Sequence, residues 1–359
     1  MDYDITALFK SLIEQKGSDL HITANSPPRL RVDGQIVPLR VPALTARDAQ
    51  ECCFRVMNES QKKVFEQERE IDFSFSIQNL ARFRANVYLN QGSVAGAFRA
   101  IPAKIESIDD LKLPPILKTL SQAPRGLVLV TGPTGSGKST TLAAMIDFIN
   151  ENAYSHIVTI EDPIEFIHEH KNCLINQREI GQDSHSFARA LKSSLRQDPD
   201  VVLLGEMRDY ETIQSAITIA ETGHLVFATL HTNNCVSTIN RIIDVFPANQ
   251  QAQIRVQLGL TLQGILSQIL LPSQKGGRVM AMEIMLINDP IRGLINEGKI
   301  NQIYSSMQTG QADSQMQTMN QALFERVAQG HVHPNEALAK SNNPEELQEM
   351  LIKNRLKRR

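Results

Sequence analysis

Apolar and polar positions follow one rhythm over the first hundred residues and another beyond them. Ile5, Leu8, Leu12 and Ile13 recur at helical spacing, and the stripe ends near Gly17. Residues 19–23, 29–32 and 35–39 then read as short strands, with Asp33-Gly34 as the turn between the last two. Helical patterns follow over 45–58 and 59–70, and extended runs over 71–77, 81–90 and 94–101. Alternation is clean where Phe73 and Phe75 interleave with Asp72, Ser74 and Ser76, and where Phe83, Ala85 and Val87 interleave with Arg82, Arg84 and Asn86. Strands of that kind are dry on one face and wet on the other, so residues 1–101 predict a small α+β domain on a sheet with one wet face.

Past an irregular stretch, 102–115, bracketed by Pro102, Pro114 and Pro115, the pattern changes. Apolar runs at 127–130, 157–160, 201–204, 225–230 and 279–287 alternate with helical segments such as 186–197 and 210–221, the latter behind Asp209 as N-cap. That alternation predicts a mostly parallel, doubly wound α/β core. The expected organisation is an N-terminal domain over 1–101, a linker over 102–115, a core over 116–287 and a helical region over 288–359.

Composition narrows the partners. The chain has 359 residues, 42% hydrophobic and 21% charged, with a net charge of −2, so no global basic field points to nucleic acid. Its start, Met1-Asp-Tyr-Asp4, has neither a basic stretch nor a long apolar one, and the longest apolar tract, about 260–271, is broken by Gln263, Ser267 and Gln268. No membrane span or signal segment is expected, and a cytoplasmic location follows. Cys52, Cys53, Cys173 and Cys235 form no C-x-x-C pair, which fits buried thiols better than zinc or disulfides. The basic end, 353–359, reads as a solvated tail.

One stretch carries chemistry outright: Gly132, Pro133, Thr134, Gly135, Ser136, Gly137, Lys138, Ser139 and Thr140 satisfy G-x-x-x-x-G-K-[ST]. It lies between the apolar run ending at Val130 and a helical stripe of Leu142, Ile146 and Ile149. Glycines turn backbone N–H groups towards phosphate oxygens, and the helix N-terminus adds partial positive charge. Lys138 is suited to the β- and γ-phosphates of ATP and Ser139 to Mg²⁺.

Ligands in parallel sheets gather at the carboxyl ends of strands, which directs attention to Glu161, Glu206 and His231. The usual Walker B aspartate is replaced by Gly205, leaving Glu206 and Glu161 as the carboxylates able to orient water or hold Mg²⁺ directly or through water. His224 and His231 flank the run at 225–230, where a structural role competes with a catalytic one. Arg82 and Arg84 share a strand face and Arg99 ends the next strand; they read as a solvated basic face or as cations offered to a neighbouring subunit's phosphates.

These motifs together resemble the type II/IV secretion ATPase superfamily. The phosphate loop, Thr159-Ile-Glu-Asp-Pro-Ile-Glu165, Gly205-Glu-Met-Arg-Asp209 and Glu221-Thr-Gly-His224 through Thr229-Leu-His231 are similar to its Walker A, Asp, Walker B and His boxes. Ser18-Asp-Leu-His21, Ala81-Arg-Phe-Arg84 and Glu283-Ile-Met285 bring the chain nearest to its type IV pilus retraction (twitching motility) ATPases. The resemblance implies a PAS-like N-terminal domain, a RecA-like P-loop core with a helical tail, and a homo-hexamer acting on the pilus machinery and its inner-membrane platform protein. It also implies Glu206 as general base, Glu161 and His224 supporting Mg²⁺ and the γ-phosphate, Arg82, Arg84 and Arg99 as fingers, and Arg278 as a further nucleotide contact.

The retraction ATPases carry a motif reading Ala-Ile-Arg-Asn-Leu-Ile-Arg-Glu, which here is Pro290-Ile-Arg-Gly-Leu-Ile-Asn-Glu297. The departures keep an accessory retraction paralogue in view. An assembly or secretion ATPase of the superfamily would carry a C-x-x-C zinc module, which this chain lacks, and a nucleotide-binding scaffold without turnover is opposed by intact Lys138, Ser139, Glu161 and Glu206.

Overall fold

The computed structural model describes residues 4–32, 34–78, 80–101, 104–309 and 315–357, in two compact units. The first comprises residues 1–104 with 163–167, and the second 105–162 with 168–359. Asp33 of the expected turn, Pro102 at the expected boundary and the last two residues of the basic end lie outside the described residues.

In the first unit, described strands β1 (Asp19–Ile22), β2 (Arg29–Val32), β3 (Gln35–Pro38), β4 (Glu70–Ile77), β5 (Ala81–Asn90) and β6 (Ser93–Ile101) form one antiparallel sheet in the order β3-β2-β1-β6-β5-β4. The alternation in β5 does what its period requires: Phe83, Ala85 and Val87 are fully buried, while Arg84 is exposed. Helix α1 (Ile5–Glu14), capped by Asp4, lays Phe9 against Phe83 and Phe98 at ring distances of 4.4 and 5.4 Å. Helices α2 (Ala46–Phe54) and α3 (Glu59–Glu68) begin at capping boxes on Thr45 and Asn58, which fix their starts within the sequence windows.

The second unit carries the sheet β13-β12-β7-β11-β10-β8-β9. Its strands are β7 (Gly126–Thr131), β8 (His156–Glu161), β9 (Leu174–Glu179), β10 (Val201–Leu204), β11 (Leu225–Leu230), β12 (Leu262–Pro272) and β13 (Arg278–Leu286), parallel except for β13. Leu127, Val128, Leu129 and Val130 of β7 are fully buried, each contributing about 1.5–3 kcal/mol of apolar transfer. Helices α4 (Ile116–Ser121) and α5 (Lys138–Asn152) cover one face. Helices α6 (Phe187–Ser194), α7 (Tyr210–Glu221), α8 (Cys235–Asp244) and α9 (Ala248–Thr261) cover the other. No helix among the described residues is long and apolar enough to cross a membrane, and all four cysteines are free and buried.

Three differences from the sequence reading have physical causes. Strands β9 and β12 escape the apolar-run criterion because polar residues interrupt both; Ser267 and Gln268 are fully buried within β12. Residues 105–115 do not form a free linker, since Ile108 and Leu113 are buried under the second sheet. The helical region is not separate either. Helix α10 (Asp289–Asn296) buries Ile291 and Ile295 in the core's own cluster, and its Gly293 leaves open space where a side chain would go. Helices α11 (Ile303–Thr309), α12 (Met319–Ala328), α13 (Pro334–Lys340) and α14 (Pro344–Lys357) follow. Glu283 of β13 joins core to tail by accepting from the Cys235 N–H at 2.6 Å and the Met319 N–H at 3.1 Å.

Candidate active site

Strand β7 leads directly into the phosphate loop, whose tight fit explains its glycines. Gly132 has φ +139°, and a Cβ there would stand 2.2 Å from the Gln268 carbonyl oxygen, so no side chain fits. Gln268 itself pins the loop: its Nε2 donates to the Ser136 carbonyl at 2.8 Å, and its Oε1 accepts from Thr141 Oγ1 at 3.0 Å. Sequence reasoning missed this residue, although an amide inside an otherwise apolar strand was the available signal.

Buried Lys138 donates from Nζ to the Gly132 and Pro133 carbonyls at 2.9 and 3.1 Å. Phosphate oxygens would be stronger, charge-assisted acceptors for the same ammonium. The hydroxyls of Thr131, Ser136 and Ser267 are buried without partners among the described residues, and Ser267 lies opposite Thr131 across β12 and β7. Unspent buried hydroxyls beside a glycine loop fit an oxyanion ligand. Among the described residues no group of three His, Cys, Asp or Glu could hold a metal by itself. Mg²⁺ therefore fits only with nucleotide phosphates, Ser139 and water completing its shell, the mode this reluctant dehydrator favours.

Strand order ranks the other candidates. At about 4.8 Å per strand, the end of β11 lies one spacing from β7, that of β10 two, and that of β8 three. His231 after β11 and Glu206 after β10 thus approach the loop more closely than Glu161 at the end of β8. Gly205 brings the ends of β10 and β8 together: its N–H donates to the Ile160 carbonyl at 2.8 Å, and a Cβ would meet Glu161 Cα at 3.3 Å. Thr229 Oγ1 donates to the Gly205 carbonyl, and the Met207 N–H donates to the Thr229 carbonyl at 2.9 Å, which fixes Glu206 between them.

Glu206, with a side chain only 15% exposed, takes Arg208 Nε at 2.7 Å and faces His231 Nε2 at 3.5 Å. Arg208 is 75% exposed and had no role in the sequence reading beyond its place in the motif. Burial lowers the His231 imidazole below its ordinary value, and the nearby Lys138 charge acts in the same direction, so the ring is neutral at pH 7. Glu161 accepts from Thr159 Oγ1 at 2.7 Å and Gln177 Nε2 at 3.3 Å, which orient it at the carboxyl end of β8.

Two expected members stand elsewhere. His224 precedes β11, its carbonyl accepting the Gly126 N–H at 2.9 Å, so it lies at the amino end of β7, the full strand length of about 20 Å from this chain's loop. Ligands gather at the carboxyl ends of the strands, and this histidine stands at the amino end. Its Nδ1 lies 3.1 Å from the Ile219 carbonyl and 3.2 Å from Thr222 Oγ1, a local structural role. Arg278 pairs with Pro272 across β12 and β13, five residues and so roughly 17 Å beyond Ser267, which stands opposite the end of β7 at Thr131.

The three first-unit arginines differ from one another. Arg99 Nε donates to buried Asp19 Oδ1 at 2.9 Å, and Arg82 donates to Ser74 Oγ. Arg84, directly opposite Arg99 on the exposed face, makes no ion pair among the described residues.

A buried phosphate loop, a carboxylate two strand ends away and a neutral imidazole on the strand end between them describe a nucleotide-hydrolysing core. Comparison with known proteins places it. The sequence profile described as type II/IV secretion system protein matches residues 2–339. The chain belongs to that family. It is 50% identical over 343 residues to the Pseudomonas aeruginosa type IV pilus retraction ATPase PilT, covering 95% of this chain and 99% of that protein. It is 41% identical to the type IV pilus ATPase PilU of the same organism, over 96% of this chain and 90% of PilU. A crystal structure of the pilus retraction motor PilT with bound ADP superposes with a TM-score of 0.92 at 49% identity, covering 97% of this chain and 99% of that one. The two-unit fold, with a RecA-like core following an N-terminal α+β domain, is that of this family.

Proposed function

We propose that this chain is a Mg²⁺-dependent ATPase, acting as a hexameric ring at the cytoplasmic face of the inner membrane, that couples ATP hydrolysis to type IV pilus retraction. The observation that carries the reading is end-to-end likeness to a retraction ATPase at 50% identity, with the phosphate loop, Glu206 and His231 all in place. The loop amides and Lys138 hold the β- and γ-phosphates. Glu206, released from Arg208 when the γ-phosphate offers that guanidinium a competing anion, orients a water and takes its proton as the water oxygen attacks γ-phosphorus and the β–γ bridging oxygen leaves. Neutral His231 donates an N–H to the γ-phosphate. Mg²⁺, when bound, supplies neutralisation of the β- and γ-oxygens. Glu161 supports the water network about that ion rather than the attacking water, because its strand end is one spacing farther away.

Completion of the site from a neighbouring subunit belongs to the same proposal. Arg84 is the best finger candidate, since Arg99 and Arg82 already bond within their own sheet. A second reading, an accessory retraction ATPase like PilU, draws on the departures at Pro290, Gly293 and Asn296, but the higher identity to PilT outweighs it. The test is expression in a strain lacking its retraction ATPase. Restored twitching from this chain alone supports the motor reading, whereas twitching restored only beside a resident retraction ATPase supports the accessory one.

A further inference from the structure

The second unit holds a cavity of about 280 Å³ for which the phosphate-loop chemistry has no use. Lys112, Lys275, Arg278, Arg326, His331 and Gln317 line its polar side. Much of the remaining wall is apolar, with Met280 and Met282 of β13 prominent. None of the described lining residues is acidic, and among the described residues none of the four cations is ion-paired. Arg326 is held in position by donating from Nε to the Met280 carbonyl at 2.9 Å, and His331 Nδ1 is buried without a partner among the described residues. The hairpin turn is tied to the same place, for the Gln274 N–H donates to the His331 carbonyl at 2.8 Å.

Lys112, Lys275 and Arg278 are exposed and Arg326 is half-buried, and four like charges around so small a space make a positive field that favours an anion. The apolar wall selects further, because half-buried Met280, with buried Met282 behind it, offers apolar surface that a bare phosphate would leave wet. At about 280 Å³ the space lies just under the usual pocket range, which suits a small ligand. Its cations lie beyond the phosphate loop: Arg278 pairs with Pro272, two residues past the Leu270 that reaches Gly137, while the apolar wall runs back to Met282 opposite Gln268. We propose that this cavity binds a phosphorylated organic anion of mononucleotide size, its phosphates on Lys275, Arg278 and Arg326 and its apolar part against Met280 and Met282. Such a ligand would fasten the β12–β13 hairpin to helix α12, joining the strand that carries Gln268 to the tail.

The test uses the full chain with Lys138→Ala, which weakens the loop's own phosphate binding, and equilibrium binding of three probes without Mg²⁺: ADP, pyrophosphate and adenosine. ADP is expected to bind, pyrophosphate more weakly and adenosine not measurably. Adding Arg278→Ala or Lys275→Ala, both exposed at the hairpin and safe for folding, should weaken ADP about tenfold each, as loss of one charge-assisted phosphate contact does. Lys275→Gln should behave like Lys275→Ala. ADP binding that ignores both positions would overturn the proposal, as would pyrophosphate binding as tightly as ADP. So would substitutions that change the assembly's size while leaving ADP affinity intact, since the cations would then serve a subunit contact.

Discussion

At the scale of single residues, the site depends on which protonation state each group holds. The His231 imidazole is lowered by burial and by Lys138, so its folded value lies below the ordinary 6.5. It is therefore neutral above that value and gains its proton only as pH falls further. ATP turnover at saturating nucleotide and Mg²⁺ should hold through neutrality and fall on an acid limb centred below pH 6.5, absent in His231→Asn. A limb centred above 6.5 and unchanged in His231→Asn would remove His231 from the cycle. His168 offers a stability counterpart. Burial pushes it down to about 4, so its neutral form contributes stability that is present above the unfolded value of 6.5 and lost as pH falls towards 4. His168→Gln should flatten the loss of thermal stability between pH 6.5 and 4 by about 2–3 kcal/mol. Identical slopes for both proteins would show that His168 protonates freely in the fold.

At the scale of elements, the parts legible in the sequence were those where one strong physical demand acts locally. The phosphate loop needs its glycines and lysine in a fixed string, and β5 needs alternation because one of its faces is wet; both were plain. Strand β12 was not, because its polar residues meet partners more than a hundred positions away: Gln268 bonds Ser136 and Thr141. The facing of Glu206 and His231, the Glu283 bridge and the placing of His224 at the far sheet end likewise depend on how strands are arranged, which local pattern does not encode. Gln268→Ala would orphan a buried carbonyl and a buried hydroxyl at the loop, a cost of about 1–3 kcal/mol each. ADP affinity should drop about tenfold or more, with the sheet intact by circular dichroism. Unchanged affinity would mean that the loop keeps its shape without β12.

At the scale of the whole molecule, the proposal of a shared active site predicts complementation between defects. Lys138→Ala and Arg84→Ala proteins lie in different units of the chain, so a mixed ring would contain some interfaces with both groups intact. Mixing should recover a fraction of ATPase activity above the weighted sum of the two variants. Activity equal to that sum at every ratio would place all catalytic groups within one chain. The central claim, that Glu206 activates water over a loop that binds nucleotide independently, meets its most direct test in one measurement: single-turnover phosphate release from Glu206→Gln protein preloaded with Mg²⁺ and ATP. The account predicts nucleotide retained at near wild-type affinity and release slowed at least a hundredfold, the lower range for losing a general base. Release within a fewfold of wild type would contradict it and transfer the base to another group, with Glu161 the first to examine.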